Sequence, residues 1–375
     1  MRAILRLLGA LVLALCACLL AAWTLGRLVS DRWVWSQYLL WMPTVLVAPA
    51  AAVLWALGSG LAAVSGRSST PRGRRWMRRA IGGAGAWVAL VALYLLVIEC
   101  RVYRLPRAGR PTVPHVRVLN WNVTAVQRIE QITGPVAAQD PDIAILVNPH
   151  SYVKWSDVPA ALEFKYKYLN TGGIAILSRV PEVRYGMVWL GIAGLPPETA
   201  SEVPHRKGWT DPGRAMFIEF DTTATLGRTT VVWIVDLPSE PKLSRWKMMR
   251  KVAESIGAWE GPVTVVDGVS THSEPAAQKG FPRPDLVLGD FNTPRGSASL
   301  SHLVPGMKNA FDEVGAGYSA TWPRFGFRTP IPLLQLDQMF LGAGVTMGRY
   351  EVVDPGFGFH QMQVGDLVQA KGDRR

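Results

Sequence analysis

The sequence predicts an α/β domain with a large sheet core, carried behind a helical segment that crosses a membrane three times. Three observations carry this reading. The 375-residue chain is 49% hydrophobic and only 18% charged, with a mean hydropathy of +0.15, more apolar than soluble chains of this size usually are. The first 100 residues hold ten arginines and no lysine against Asp31 and Glu99, a charge of +8, whereas the remaining 275 residues carry +4. From about residue 113 the chain becomes a succession of short β-like runs broken by turns. These features exclude a disordered tail protein, a disulfide-stapled miniprotein and a transporter that is membrane throughout.

Residues 1–104 contain three uncharged apolar runs, at about 7–25, 38–63 and 80–98. Each reaches the ~20 residues that a helix needs to cross a hydrocarbon core. Trp33, Trp35, Trp41, Trp76 and Trp87 lie near the run ends, as interfacial anchors do. Arg2 and Arg6 before the first run also suit a signal peptide, but the two further runs favour a retained anchor. The loop 64–79 carries six arginines and no acid, whereas the link between the first two runs has Arg27 and Arg32 against Asp31. The positive-inside rule then puts loop 64–79 in the cytoplasm of a bacterial-type inner or plasma membrane and everything after Glu99 outside it. Cys16, Cys18 and Cys100 all fall in or beside the membrane segment, which leaves no cysteine pair for a disulfide or a thiolate metal site in the exported part.

Residues 105–114 read as a linker, 115–368 as the folded domain and 369–375 as a tail. Strands are expected at 116–123, 143–147, 173–178, 216–221, 230–237, 285–289, 333–341, 350–353 and 362–368. A helix over 126–139 should stop at Asp140-Pro141-Asp142. A second, over 244–259, carries Trp246, Met249, Ala253, Ile256 and Trp259 on one stripe and Arg245, Lys247, Arg250 and Lys251 elsewhere, so it should dock on a sheet. Residues 261–284 are rich in turn formers and read as a surface loop, with His272 solvated in it.

The most specific stretch is Leu286-Val287-Leu288-Gly289-Asp290-Phe291-Asn292, an apolar strand that ends on a carboxylate and a carboxamide two residues apart. Period-2 alternation puts Asp290 and Asn292 on one side, where one can orient water or a metal and the other can donate to a developing oxyanion. An Asx turn is the plainer alternative for the same residues. Asn120-Trp121-Asn122 ends the first strand, Leu336-Asp337-Gln338 and Gly358-Phe359-His360 come late in the chain, and Gly172-Gly173 opens an apolar strand between them.

In this order the motifs resemble the endonuclease/exonuclease/phosphatase superfamily over residues 115–368, with Gly289-Asp290-Phe291-Asn292 as the sharpest match. The resemblance implies a four-layer α/β sandwich and hydrolysis of phosphodiesters or phosphomonoesters with Mg²⁺ or another divalent cation. It implies Asn122 at the metal and phosphate site, Asp290 as the group that orients or deprotonates water and also ligates metal, and Asn292 as its phosphate-contacting neighbour. Asp337 and His360 match the late carboxylate–histidine pair, in which the carboxylate fixes the ring and favours imidazolium. Three positions depart from the family pattern. Leu146-Val147-Asn148 stands where the family has Leu-Gln-Glu, Gly358-Phe359-His360 where it has Ser-Asp-His, and Val235-Asp236-Leu237 where secreted branches have Thr-His-Leu. Asn148 can offer Mg²⁺ only a weak, neutral oxygen, although Asn148→Glu should strengthen binding, and His150 or Asp236 are candidates to compensate.

The retained Asp290, Asn292, Asp337 and His360 favour a membrane-anchored, extracytoplasmic hydrolase whose substrate is a phosphate ester, in a nucleic acid or a lipid headgroup. The alternative is a catalytically inactive member that binds an anionic ligand or serves as a membrane assembly protein. The +4 of the exported part offers no strong nucleic-acid-tracking stripe, and Trp155, Trp189, Trp209 and Trp322 could stack on bases, face lipid or simply pack.

Overall fold

The structure, a computed structural model, describes residues 1–65, 71–107, 113–149, 153–163, 165–192, 211–268, 270–324 and 329–370. It divides into two units, Met1–Tyr103 and Arg104–Arg375.

In the first unit the helices are α1 (Arg2–Val29), α2 (Val34–Leu40), α3 (Thr44–Val64) and α4 (Pro71–Tyr94), the last prolonged by a π turn over Leu95–Glu99. Three stretches, Arg2–Val29, Thr44–Val64 and Arg75–Leu105, are long and apolar enough to cross a membrane. Leu7, Leu11, Leu15, Leu57, Leu90 and Leu93 point outward and stay exposed, whereas Cys16, Leu20, Trp23, Val47, Ala51 and Val91 pack inside. An apolar exterior of this kind suits lipid better than water. One end of the bundle is polar: Arg27 lies 3.1 Å from Glu99 and donates to Thr44 at 2.9 Å, and Thr44 donates to Glu99 at 2.6 Å. The arginine-rich stretch expected as a loop over 64–79 is largely helical, because α4 starts at Pro71, a residue suited to a helix start.

The second unit has fourteen strands among the described residues: β1 (Val116–Asn122), β2 (Ile143–Val147), β3 (Lys167–Thr171), β4 (Ile174–Ser178), β5 (Glu182–Trp189), β6 (Arg214–Phe220), β7 (Thr230–Asp236), β8 (Val263–Asp267), β9 (Ser270–Glu274), β10 (Leu286–Asp290), β11 (Lys308–Asn309), β12 (Asp337–Leu341), β13 (Val345–Val353) and β14 (Met362–Gln369). They form a six-stranded sheet, β13-β14-β1-β2-β4-β3, and an eight-stranded sheet, β11-β12-β10-β7-β6-β5-β8-β9. Both are mixed, with β1 parallel to β2 and β7 parallel to β10.

Side-chain alternation builds the layers. Val116, Val118, Ile143, Ile145, Ile174 and Ile176 of the first sheet meet Met216, Ile218, Val232, Ile234, Leu286 and Leu288 of the second in one buried core. The opposite face of the first sheet, with Leu119, Trp121, Ala144 and Leu146, packs on Ile132 and Val136 of α5 (Glu130–Gln139). The opposite face of the second, with Ala215, Phe217, Val235 and Val287, packs on Met248, Met249, Val252 and Ile256 of the helix Arg245–Ala258. The unit is therefore an α/β sandwich with helices outside two face-to-face sheets.

Several local expectations are corrected. Residues 261–284 are not simply a loop, because they contain the β8–β9 hairpin, in which every residue of β9 is exposed. His272 is solvent-facing, 2.9 Å from Glu274. Helix α5 begins at Glu130, and Asp140 ends it in a left-handed conformation at φ 46°. Arg245 is buried and donates to the carbonyls of Pro238 at 2.7 Å and Glu240 at 3.1 Å, so it does not belong to the solvated face. Its long stem lets a cation sit in an apolar stripe while the head satisfies loop carbonyls.

Candidate active site

The alternation that fills the core also selects what stands at its mouth. On β1 the inward series Val116, Val118, Asn120 ends at Asn122; on β7 Val232 and Ile234 lead to Asp236; on β10 Leu286 and Leu288 lead to Asp290. The antiparallel strands reach the same edge at their starts, where Arg214 precedes inward Met216 and Asp337 precedes inward Met339. Polar side chains thus continue the inter-sheet layer at one rim of the sandwich. Gly289 is required for this: its φ is 134°, and a Cβ there would lie 1.9 Å from the Val235 carbonyl oxygen of the adjacent strand.

Asp290, Asp337, His360 and Asn122 come together and are nearly inaccessible, with relative exposures of 2%, 0%, 6% and 3%. His360 Nδ1 lies 2.8 Å from Asp337 Oδ2, and its Nε2 lies 3.9 Å from Asp290 Oδ2. Asn122 Nδ2 donates to Asp290 Oδ2 at 2.8 Å, while Asn122 Oδ1 accepts from the Thr124 backbone at 3.0 Å and hydroxyl at 2.6 Å. Asn292 lies beyond the strand with φ 45°, and its backbone N–H donates to Asp290 Oδ1 at 2.9 Å. An Asx turn, rather than strand alternation, therefore brings Asn292 beside Asp290, and its side-chain amide donates to the Leu237 carbonyl at 2.7 Å. Gln363 donates to the Asp337 carbonyl at 2.6 Å and Trp121 to that of His360 at 3.2 Å, so the dyad is fixed through its backbone as well.

Burial and mutual charge set the protonation. Burial, then repulsion from Asp337, pushes the Asp290 carboxyl up to about 7 against the attraction of His360. Burial alone would lower His360, but Asp337, Asp290 and Asp236 outweigh it and raise the ring to about 9. Near neutrality the site therefore holds an imidazolium beside a carboxyl poised to lose its proton.

Sequence reasoning missed Arg214. Its Nε donates to Asp236 Oδ2 at 2.9 Å, Nη2 bridges Asp236 and the Asn148 side-chain oxygen, and Nη1 donates to the Gly172 carbonyl at 3.2 Å. Asn148, in a left-handed conformation at φ 57°, donates its amide to Asp236 Oδ1 at 3.1 Å. Burial raises Asp236 to about 6, with Arg214 opposing. The available signal was positional: Arg214 is two residues before Met216, on the face that β6 turns inward. His150 and Trp209 lie outside the described residues, and Trp155 is buried, while the guanidinium of Arg214 lies 5.7 Å over the Trp189 ring.

The donors match a dedicated Mg²⁺ site poorly. Ligand atoms of Asp290, Asp337 and His360 lie within 4.8 Å of one another, but His360 and Asp337 are already hydrogen-bonded to each other. The Asn148 oxygen already accepts from Arg214, and the buried Asp337 Oδ1 is the one carboxylate oxygen of this triad without a hydrogen-bond partner among the described residues. A hard cation that needs several oxygens in near-octahedral array does not find them among the described residues.

Residues 121–358 match the endonuclease/exonuclease/phosphatase family. No curated protein sequence is a significant match to the chain. Among solved structures, a mannosyl-6-phosphatase of Bacteroides thetaiotaomicron VPI-5482 is 19% identical, covering 68% of this chain and 99% of that one with a TM-score of 0.49. A family protein of Bacteroides thetaiotaomicron is 17% identical over 68% of this chain and 97% of that one, at a TM-score of 0.46. TDP2 of D. rerio, complexed with a single-strand DNA product, is 12% identical over 68% of this chain and 98% of that one, at 0.45. The family match spans well over half of the sequence and takes in Asn122, Asp290 and Asp337, so this chain belongs to the endonuclease/exonuclease/phosphatase family.

Proposed function

We propose that the chain is a membrane-anchored, extracytoplasmic hydrolase of phosphate esters. The family includes metal-dependent nucleases and phosphatases, and the observation that carries the reading here is the convergence of Asp290 on the His360–Asp337 pair. Asp290, held by Asn122 and the Asn292 backbone, takes a proton from the attacking water. His360, as imidazolium, faces the negative charge that builds on the phosphoryl oxygens, and Asp337 keeps the ring oriented and charged. Asn292 contributes to the phosphate-facing rim. Residues 1–104 hold the domain beside the bilayer, and the arginines before and within the start of α4 support a cytoplasmic location for that end. The departures at Asn148 and Phe359 favour, as a second reading, a member that binds a phosphate ester without turning it over.

The test uses the purified full chain in detergent on a generic phosphodiester and a generic phosphomonoester. His360→Ala and Asp290→Ala are expected to lower turnover by at least ~100-fold each, the scale of a lost acid–base group, and Asp337→Asn by less because the ring remains. Turnover that survives both alanine substitutions would overturn the catalytic assignment.

A further inference from the structure

We propose that Arg214 is the resident cation of this cleft, replacing a tightly held divalent ion; the inference rests on the cleft being the phosphate-ester site. Three groups converge on its guanidinium: the Asp236 carboxylate, the Asn148 side-chain carbonyl and the Gly172 carbonyl. Asn148 stands where the resemblance puts a metal carboxylate, and Asp236 is the anion bonded to it that could have compensated. Asp236 is 1% and Arg214 12% exposed, so the pair is buried and its geometry fixed. The backbone is shaped to admit it. Gly173 sits at φ 76°, and a Cβ there would come within 2.1 Å of Arg214 Nη1, so a side chain at 173 and a guanidinium at this spot exclude each other.

Four of the five guanidinium N–H groups are spent on Asp236, Asn148 and Gly172, and the fifth, on Nη1, has no acceptor among the described residues. That donor suits a non-bridging phosphate oxygen. Arg214 pairs in register with Asp236 and Asp236 with Asp290, so Arg214 stands two strands from the carboxylate beside His360, with its guanidinium on the intervening Asp236. A divalent ion entering here would meet the guanidinium, with the Asp236 and Asn148 oxygens already engaged. For the same reason Asn148→Glu alone should not rebuild a metal site, since the new carboxylate would meet Arg214 first.

The test titrates Mn²⁺ into the full chain in detergent and reads the free ion by electron paramagnetic resonance. The unmodified protein and Asn148→Glu should show no saturable site below ~1 mM, while Arg214→Met combined with Asn148→Glu should bind at least ~10-fold more tightly. Inorganic phosphate should bind the unmodified protein equally, within about twofold, in EDTA and in Mg²⁺, a measure of a fixed cation rather than an exchangeable one. One tight Mn²⁺ site in the unmodified chain, or phosphate binding that needs Mg²⁺ or is absent, overturns the proposal. The two overturning readings use the unmodified chain and need no turnover, so neither a variant that fails to fold nor a failed hydrolase assignment leaves them uninterpretable.

Discussion

Asp290→Asn should inactivate the protein and stabilise it, by an amount that pH reveals. The Asp290 carboxyl is raised from 3.8 to about 7, so between those values the folded state holds a proton that the unfolded chain has released. Stability falls with rising pH wherever the folded state binds more protons. At ~1.4 kcal/mol per unit, a shift of about three units costs the ionised protein about 4 kcal/mol above neutrality. The carboxamide is a near isostere of the neutral carboxyl and carries no such cost. At about pH 4 the two proteins should therefore melt within ~1 kcal/mol of each other. Their melting temperatures should then diverge up to about pH 7, with the variant higher by roughly 10 °C, and drift further apart towards pH 9, because Asp290 helps to raise His360 in the unmodified protein. Thermal unfolding of the full chain in detergent, followed by tryptophan emission from about pH 4 to 9, measures the gap. Curves that stay parallel throughout, or a variant that loses stability as pH rises, would refute the reasoning.

Other outcomes follow from the same geometry. With Asp290 near 7 and His360 near 9, kcat/KM should rise through the first value as the base ionises and fall through the second as the ring loses its proton. Asp337→Asn removes the anion that raises both groups, so both limbs of that profile should move to lower pH. Gly289→Ala should cost at least ~3 kcal/mol, because the added methyl meets a backbone oxygen and the torsion is strained; urea unfolding checks this against a surface control such as Lys242→Ala. A reporter fused after Arg375 should be active only outside the cytoplasm, and activity confined to the cytoplasm would invert the proposed topology.

Legibility in the sequence followed local pattern. Asn122 and Asp290 were readable because each ends an apolar strand, whereas Asp337, inside the strand expected over 333–341 and in fact the first residue of β12, was marked only by the family resemblance. Strand β2 showed as an uninterrupted apolar run over 143–147. Strand β9 left no such trace, since an exposed edge strand has no apolar face to advertise. Strand β5 mixes Glu182, Arg184 and Gly186 with apolar residues and pairs with β6 on one side and β8 on the other, so tertiary pairing overrides a weak local preference. Arg245 was misassigned because helical periodicity locates the Cα and not the guanidinium at the end of a long side chain.

Arg214 was hidden for a different reason. Its role depends on Gly172, Asn148 and Asp236, between 22 and 66 residues away in sequence, and none of these forms a motif with it. The dependence bears on Asn148, which stands where the resemblance puts a metal carboxylate. Among the described residues Asp337 Oδ1 stays an open acceptor beside His360, whereas the acceptors at the end of β2 are filled. Here both oxygens of Asp236 and the oxygen of Asn148 are bonded. Undoing any one part carries a cost: loss of Arg214 strands a buried carboxylate, and a side chain at Gly173 collides with the guanidinium. A carboxylate at Asn148 would in turn gain the arginine before any ion. Glycine, arginine, aspartate and asparagine thus support one another, the arrangement expected of the substitute charge proposed for Arg214.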